Sequence, residues 1–244
     1  ELQAALLQEG QRRMEPYGEF QPPVPRPPDP GAPPAAGRHP AFNREQCLAF
    51  AIGSAAQVLG DAFAEVDTYP VRVRLPDEPL MLVDRIISIE GNKGQLGPGR
   101  IVTEHDVRPH AWYLDADRAP VCSSVEAGQA DLFLCSYLGI DLEVQGERTY
   151  RLLDAAVTFH RGLPRPGDVI RYEIVIEKFI RQGATWMFFF RFDGRIDDQP
   201  LITMRNGCAG FFTEEEVHHS GGIILTGEDL KPQMGVFPEN WRPL

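Results

Sequence analysis

The stretch APVCSSVEAGQADLFLCSYLG, residues 119–139, predicts a helix buried on most of its sides. Ser123 and Glu126 have the spacing of a capping box at a helix start, and Gly139 suits the position just after a helix end. Gly128 would let another backbone come close. Apolar side chains fill most of the remaining interval: Val125, Ala127, Leu132, Leu134, Cys135 and Leu138. We therefore expect other elements to enclose this helix.

The segments around this helix supply one further helix and six strands. Residues 43–63 place apolar side chains on one helical face, with Asn43 as a plausible N-cap and Gly60 as a plausible stop. Two strands are predicted before the central helix, at 80–91 and 100–107. Four more follow in meander style, rich in β-branched and aromatic residues: 150–160, 168–180, 185–194 and 200–212.

An antiparallel sheet that curls around a single buried helix is the hot-dog arrangement, an α+β fold. A lone copy of this fold leaves one sheet edge without a partner strand. Unpaired edges favour association, so we expect either a homodimer or a double hot dog.

The ends of the chain have a different character from its centre. Residues 1–40 contain a short helical remnant and a proline-rich tract, which is typical of a semi-rigid linker between domains. The folded domain is predicted to span 41–217. Residues 218–244 show little periodicity and are predicted to be an exit linker.

Composition excludes several classes of function. The net charge of −11 argues against nucleic acid or anionic membrane as a partner, and no apolar run approaches the roughly 20 residues of a membrane span. The four cysteines lie far apart, which argues against disulfides or zinc and favours the reducing cytoplasm. Phosphate-binding loops, dinucleotide fingerprints and metal-ligand spacings are absent from the sequence, so no cofactor or metal is expected.

Three motifs resemble a known family in the order in which they occur. LPDEPLMLVDRI (75–86), EHDVRPHAWYL (104–114) and APVCSSVEAGQ (119–129) look like the bacterial β-hydroxyacyl-carrier-protein dehydratases, particularly the β-hydroxydecanoyl type. The likeness is closer to the dehydratase-like domains of polyunsaturated fatty acid synthases, where proline-rich linkers separate domains. This resemblance implies ketosynthase and dehydratase neighbours on the same polypeptide. It also implies an acyl carrier protein that presents a phosphopantetheine-bound 3-hydroxyacyl chain.

The same resemblance implies a pair of catalytic residues, namely a histidine base and a carboxylic acid on the central helix. Glu126 falls at the position of the acid, although the capping-box spacing would explain this residue equally well. Matching Asp106, Pro109 and Trp112 to the family places His110 outside the base position. His110 reaches that position only if the tryptophan match is abandoned.

Three further residues are candidates for substrate contact: Trp112, Val121 and Cys122. Trp112 matches a family tryptophan, Val121 replaces the family glycine near the expected thioester carbonyl, and Cys122 stands at the helix start.

Three functions remain open on these residues. The first is a pseudo-dehydratase that lacks its base and completes a double hot dog with an adjacent dehydratase. The second is an active 3-hydroxyacyl-carrier-protein dehydratase that uses His110 and Glu126. The third is a thioesterase in which Glu126 alone activates water.

Overall fold

A computed structural model of the chain describes residues 40–221 together with Gly227. The predicted N-terminal linker and nearly all of the predicted C-terminal linker lie outside these residues. Seven helical segments occur in the described part. They are α1(Arg44–Ile52), α2(Ala55–Leu59), a 3₁₀ helix (Asp61–Thr68), α3(Val121–Glu126), α4(Asp131–Tyr137), α5(Ile140–Val144) and α6(Glu214–His218).

Six strands of the described residues form one antiparallel sheet in the order β1-β2-β4-β5-β6-β3. Their bounds are β1(Arg85–Glu90), β2(Gly99–Asp106), β3(Thr149–Phe159), β4(Val169–Gln182), β5(Thr185–Ile196) and β6(Gln199–Phe212). The buried side chains of α4 pack against this sheet in one hydrophobic core. The predicted α+β hot-dog fold is confirmed.

The predicted N-terminal helix is divided into shorter pieces. Asn43 caps α1 as predicted, because its side chain accepts from the N–H of Gln46 and the Gln46 side chain accepts from the N–H of Asn43. The first break follows at Gly53, and Ser54 then caps α2. Gly60, at φ 91°, ends α2 as predicted, since glycine adopts this left-handed region without steric cost.

The capping box predicted at Ser123 and Glu126 is wrong. Helix α3 begins at Val121, directly after Pro120, so Ser123 lies inside the helix and is buried. Glu126 is the last residue of α3 rather than part of its N-terminal cap. Proline is well suited to a helix start, since its missing N–H would have no partner there. Capping of the helix start therefore does not explain why a glutamate stands at position 126.

The central helix is also interrupted, at residues 127–130, before α4 begins. Gly128 lies against the ring of Phe192 on β5, where a Cβ atom would come within 2.7 Å of Cε1. The hydroxyl of Tyr172 on β4 donates to the carbonyl oxygen of Ser124 at 2.6 Å. A close approach does occur at Gly128, but the neighbour is the Phe192 side chain rather than another backbone as predicted. Gly139, at φ 95°, follows the end of α4 as predicted.

The predicted four-strand meander is only partly correct. Strands β4, β5 and β6 do follow one another as neighbours, but β3 pairs with β6 and β4 pairs with β2. The loop between β3 and β4 explains the difference. Its Gly167 N–H donates to the carbonyl of Val107 at 2.8 Å, and the Val107 N–H donates to the carbonyl of Asp168 at 2.9 Å. These bonds place the start of β4 beside the end of β2.

The two edges of the sheet differ. On β1, Phe42 forms a two-bond antiparallel bridge with Ile86. On β3, the outer edge has no neighbouring strand among the described residues, and large apolar side chains are exposed. They are Leu152, Leu153 and Val157. No helix in the described part of the chain is both long and apolar enough to cross a membrane.

Candidate functional site

Glu126 ends α3 with a half-buried carboxylate. Its hydrogen bond within the described residues comes from Gln129, whose Nε2 donates to Oε2 at 3.0 Å. Burial raises the pKa of Glu126, because the charged form loses hydration. The group therefore retains its proton more readily than an exposed glutamate, which is a property of a general acid.

Asp131 is a second acidic residue close to Glu126, and the sequence reasoning missed it. Its side chain is fully buried, and neither carboxyl oxygen has a hydrogen-bond partner among the described residues. Burial raises its pKa to about 7, and the charge of Glu126 adds to the rise. The sequence signal that could have identified Asp131 is the presence of an aspartate within a nearly apolar stretch of the helix.

Tyr150 on β3 extends the polar cluster formed by these two acids. Its hydroxyl is buried without a hydrogen-bond partner in the described part of the chain. Burial raises its pKa, and the charges of Asp131 and Glu126 contribute. The interior between α3, α4 and β3 thus holds three ionisable groups whose pKa values burial raises. A carboxyl group with a raised pKa can exchange a proton at a pH closer to neutrality than an exposed carboxyl can.

His110 does not meet Glu126. It occupies an exposed turn with φ 64° and lines a surface concavity with Arg118 and Arg165. The segment DVRPHAWYL (106–114), which follows β2, therefore directs this imidazole to the outside of the domain.

His105, in contrast, is buried and bonded on both ring nitrogens. Nδ1 lies 2.9 Å from Oδ2 of Asp84, and Nε2 lies 2.8 Å from the hydroxyl of Tyr113. Arg44 and Arg108 also donate to Asp84. These contacts tie the loop after β2 to β1 and leave no free ring nitrogen on His105.

The ionisation of Asp84 fits this structural role. Burial alone would raise its pKa, but hydrogen bonds from His105 and from the Asp106 N–H, with the charge of Arg108, lower it to about 2. The carboxylate is thus a fixed negative charge at the centre of the network.

The other described histidines also lie apart from Glu126. His160 contacts the hydroxyl of Thr203 at 3.0 Å, while His218 and His219 are exposed at the end of α6. Across residues 40–221, no imidazole forms a hydrogen bond with the Glu126 carboxylate. Within the described residues, this site therefore offers carboxyl groups with raised pKa values but no imidazole beside Glu126.

The FabA-like domain family matches residues 75–205, which include β1, β2, the central helices and most of the later strands. The chain belongs to the FabA-like domain family. It is 39% identical over 212 residues to a polyunsaturated fatty acid synthase subunit of Thraustochytrium sp. (strain ATCC 26185 / S-3). That alignment covers 85% of this chain and 14% of the relative, so the chain spans about one seventh of the relative's length.

Two solved structures are similar to this FabA-like domain at low sequence identity. The dehydratase heterocomplex ApeI:P from Xenorhabdus doucetiae matches with a TM-score of 0.43 and 15% identity, covering 62% of this chain and 96% of that one. The E. coli PaaI protein from the phenylacetic acid degradation operon matches with a TM-score of 0.35 and 13% identity, covering 50% and 81%.

The candidate substrate-contact residues of the FabA-like domain are solvent-accessible. Trp112 is 60% exposed, and its indole N–H donates to the carbonyl of Pro79 at 2.8 Å. Val121 is 49% exposed in the first turn of α3, and the neighbouring thiol of Cys122 is exposed as well. Apolar surface thus lies at the start of the helix that carries Glu126.

The other thiols of the FabA-like domain, those of Cys47, Cys135 and Cys208, are buried and free. Within the described residues, no group of three or more His, Cys, Asp or Glu side chains could hold a metal ion.

Proposed function

We propose that this FabA-like domain is a pseudo-dehydratase of a multidomain polyunsaturated fatty acid synthase. It pairs with an adjacent hot-dog dehydratase, shapes the acyl tunnel between the two, and supplies Glu126 opposite the partner's histidine. The substrate is a 3-hydroxyacyl chain on the phosphopantetheine of an acyl carrier protein. A ketosynthase lies elsewhere on the same polypeptide.

One observation carries the proposal: Glu126, which the sequence resemblance assigns to the acid position, has a half-buried carboxyl with no imidazole bonded to it among the described residues. Dehydration removes a proton from C2 of the acyl chain and expels the C3 hydroxyl as water. The first task needs a base near neutral pKa, and the second needs an acid. This chain offers a protonatable carboxyl for the second task, and its described histidines are engaged or placed elsewhere.

The open edge of the sheet supports the pairing role. Phe42 occupies part of the β1 edge, whereas β3 leaves Leu152, Leu153 and Val157 exposed. A second hot dog that adds to β3 would cover this apolar surface and satisfy the free backbone groups. Tyr150 lies near the start of the same strand, and its hydroxyl is close enough to Glu126 and Asp131 for their charges to raise its pKa. A neighbour paired with β3 would therefore also lie close to these two acids.

The multidomain setting is supported by the relative from Thraustochytrium. That relative is named as part of a polyunsaturated fatty acid synthase, and this chain matches about one seventh of its length. Neighbouring catalytic domains and a carrier protein are consistent with so long a polypeptide.

Hydration of a crotonyl-type thioester tests the proposal, since it is the reverse of dehydration. We expect no measurable turnover by this chain alone. When the chain is assembled with the neighbouring dehydratase, Glu126→Gln should lower turnover by about 10²-fold or more, the usual contribution of general acid catalysis. Glu143→Gln, an exposed glutamate of α5, is the matched control and should retain full turnover.

Two results would overturn the proposal. Turnover by the isolated chain that is lost in His110→Ala would establish an active dehydratase using His110 and Glu126. Steady release of thiol from saturated acyl thioesters, lost in Glu126→Gln, would instead establish a thioesterase.

A further inference from the structure

A surface concavity of about 520 Å³ lies between the turn that contains His110 and the loop that joins β3 to β4. Arg118 lines it from the first segment and Arg165 from the second. Its lining residues do not include Glu126, Asp131 or Tyr150, and the proposed acid–base chemistry does not use it.

The charge in this concavity is mainly positive. Two guanidinium groups and the imidazole of His110 line it, and Asp117 is its one carboxylate. Among the described residues, neither arginine forms an ion pair with a carboxylate. Most arginines on the outer face of the sheet are paired; Arg85, for example, contacts both Glu104 and Asp106. The positive charge of these two guanidinium groups is therefore not neutralised by a paired carboxylate.

The backbone around the concavity is held in an unusual conformation. His110, Ala116 and Asp117 have φ angles of 64°, 45° and 58°, a region that residues other than glycine rarely adopt. Hydrogen bonds between the two segments hold this geometry. The Ala119 N–H donates to the carbonyl of Pro164 at 2.9 Å, and Arg118 Nη1 donates to that of Leu163 at 3.3 Å. The concavity is thus preformed, and ordering it on ligand binding costs little.

We propose that this concavity binds a phosphate group. A guanidinium presents N–H donors in a planar fork that matches phosphate oxygens, and two such groups line this concavity together with an imidazole. The phosphate can belong to the phosphodiester of a carrier-borne prosthetic arm or to a free phosphomonoester. The site does not depend on the proposed pairing role, because it is formed by this chain alone.

Titration of the chain with inorganic phosphate at constant ionic strength tests the site. Amide NMR resonances of residues 109–118 and 165–168 should shift, and Arg165→Ala should weaken binding about tenfold or more, as expected for a lost charged hydrogen bond. Arg195→Ala removes an exposed arginine of β5 outside the concavity and should bind phosphate like the wild type. Unchanged affinity in Arg165→Ala, or shifts spread over other arginines, would overturn the proposal.

A second variant guards against loss of the fold. Arg165→Lys keeps the charge and removes the fork of an exposed side chain, so it should weaken phosphate binding while leaving the thermal unfolding midpoint near that of the wild type. If Arg165→Lys binds phosphate as tightly as the wild type, the guanidinium pair is not the recognition element and the proposal fails.

Competition distinguishes the two sources of phosphate. Carrier protein bearing phosphopantetheine should displace inorganic phosphate if the prosthetic arm is the ligand, while the same carrier with its unmodified serine should not. Displacement by free phosphopantetheine, with none by the loaded carrier, assigns the site to a free phosphomonoester. Neither result bears on Glu126, so the failure of this site and the failure of the proposed dehydratase role remain distinguishable.

Discussion

At the scale of single residues, Asp131 makes the stability of the domain depend on pH. Its pKa rises from 3.8 to about 7 on folding, so the folded state holds a proton that the unfolded state releases between these values. Stability therefore falls as pH increases through this window. The full penalty, reached above about pH 7, is on the order of 4 kcal/mol.

We expect Asp131→Asn to remove this dependence. Urea unfolding at several values between about pH 4 and pH 8 should show the wild type losing stability relative to the variant as pH rises. Asp198→Asn is the control, since Asp198 is exposed in a turn with φ 60°, which asparagine tolerates. Parallel curves for the wild type and Asp131→Asn would contradict the assignment.

The sequence predicts the position of Glu126 but not its surroundings. The S-x-x-E spacing suggested a cap because the helix was expected to start at Ser123, whereas Pro120 starts it earlier. Asp131 was missed for a related reason. The interruption at 127–130 resets the angular phase of the helix, so the direction of Asp131 cannot be read from a continuous helical period.

At the scale of elements, the contact between Gly128 and Phe192 fixes the interrupted helix against the sheet. A methyl group at position 128 would lie 2.7 Å from the Phe192 ring, which is fully buried and has no room to withdraw. We expect Gly128→Ala to destabilise the domain by about 1–3 kcal/mol, the usual cost of overpacking. The shift of the urea midpoint measures this cost.

Gly162→Ala is the matched control, because a Cβ there meets no atom within 4 Å. Its effect should stay within about 0.5 kcal/mol. Adding Phe192→Leu to Gly128→Ala should restore part of the loss, since the smaller side chain relieves the overlap. Equal destabilisation by the two glycine variants would show that backbone conformation, rather than packing, governs the site.

The strands themselves were predictable from local composition, but their order was not. The alternation of charged and apolar side chains, as in Arg171, Tyr172 and Glu173, indicates that β4 is a strand with one solvent-exposed face. This pattern is the same whichever strands lie beside it. The neighbour is chosen by long-range contacts, such as those that join Val107 to Gly167 and Asp168. No local pattern contains that information, and the predicted meander failed for β3 on this account.

At the scale of the whole molecule, the exposed side chains of β3 predict association. In the absence of a neighbouring domain, a second copy of the chain should occupy the edge, and sedimentation should detect a dimer. Leu153→Lys with Val157→Lys should give a monomer that still unfolds cooperatively, with a thermal midpoint that does not depend on concentration, because both residues are exposed. Val169→Lys, at an exposed position on a strand inside the sheet, should still dimerise. A wild type that stays monomeric at high concentration would contradict the association.

The bridge between Phe42 and Ile86 limits how far such association can proceed. A sheet with two open edges adds units at both ends and grows into a fibre, whereas here part of the far edge is already closed by the chain itself. A dimer joined through β3 has a β1 edge at each end of its sheet, and Phe42 covers part of each of these edges. We therefore expect the few residues that follow the proline-rich tract to hinder the addition of further copies at this edge. Their deletion should promote aggregation that light scattering can detect, because the β1 edge would then be open as well.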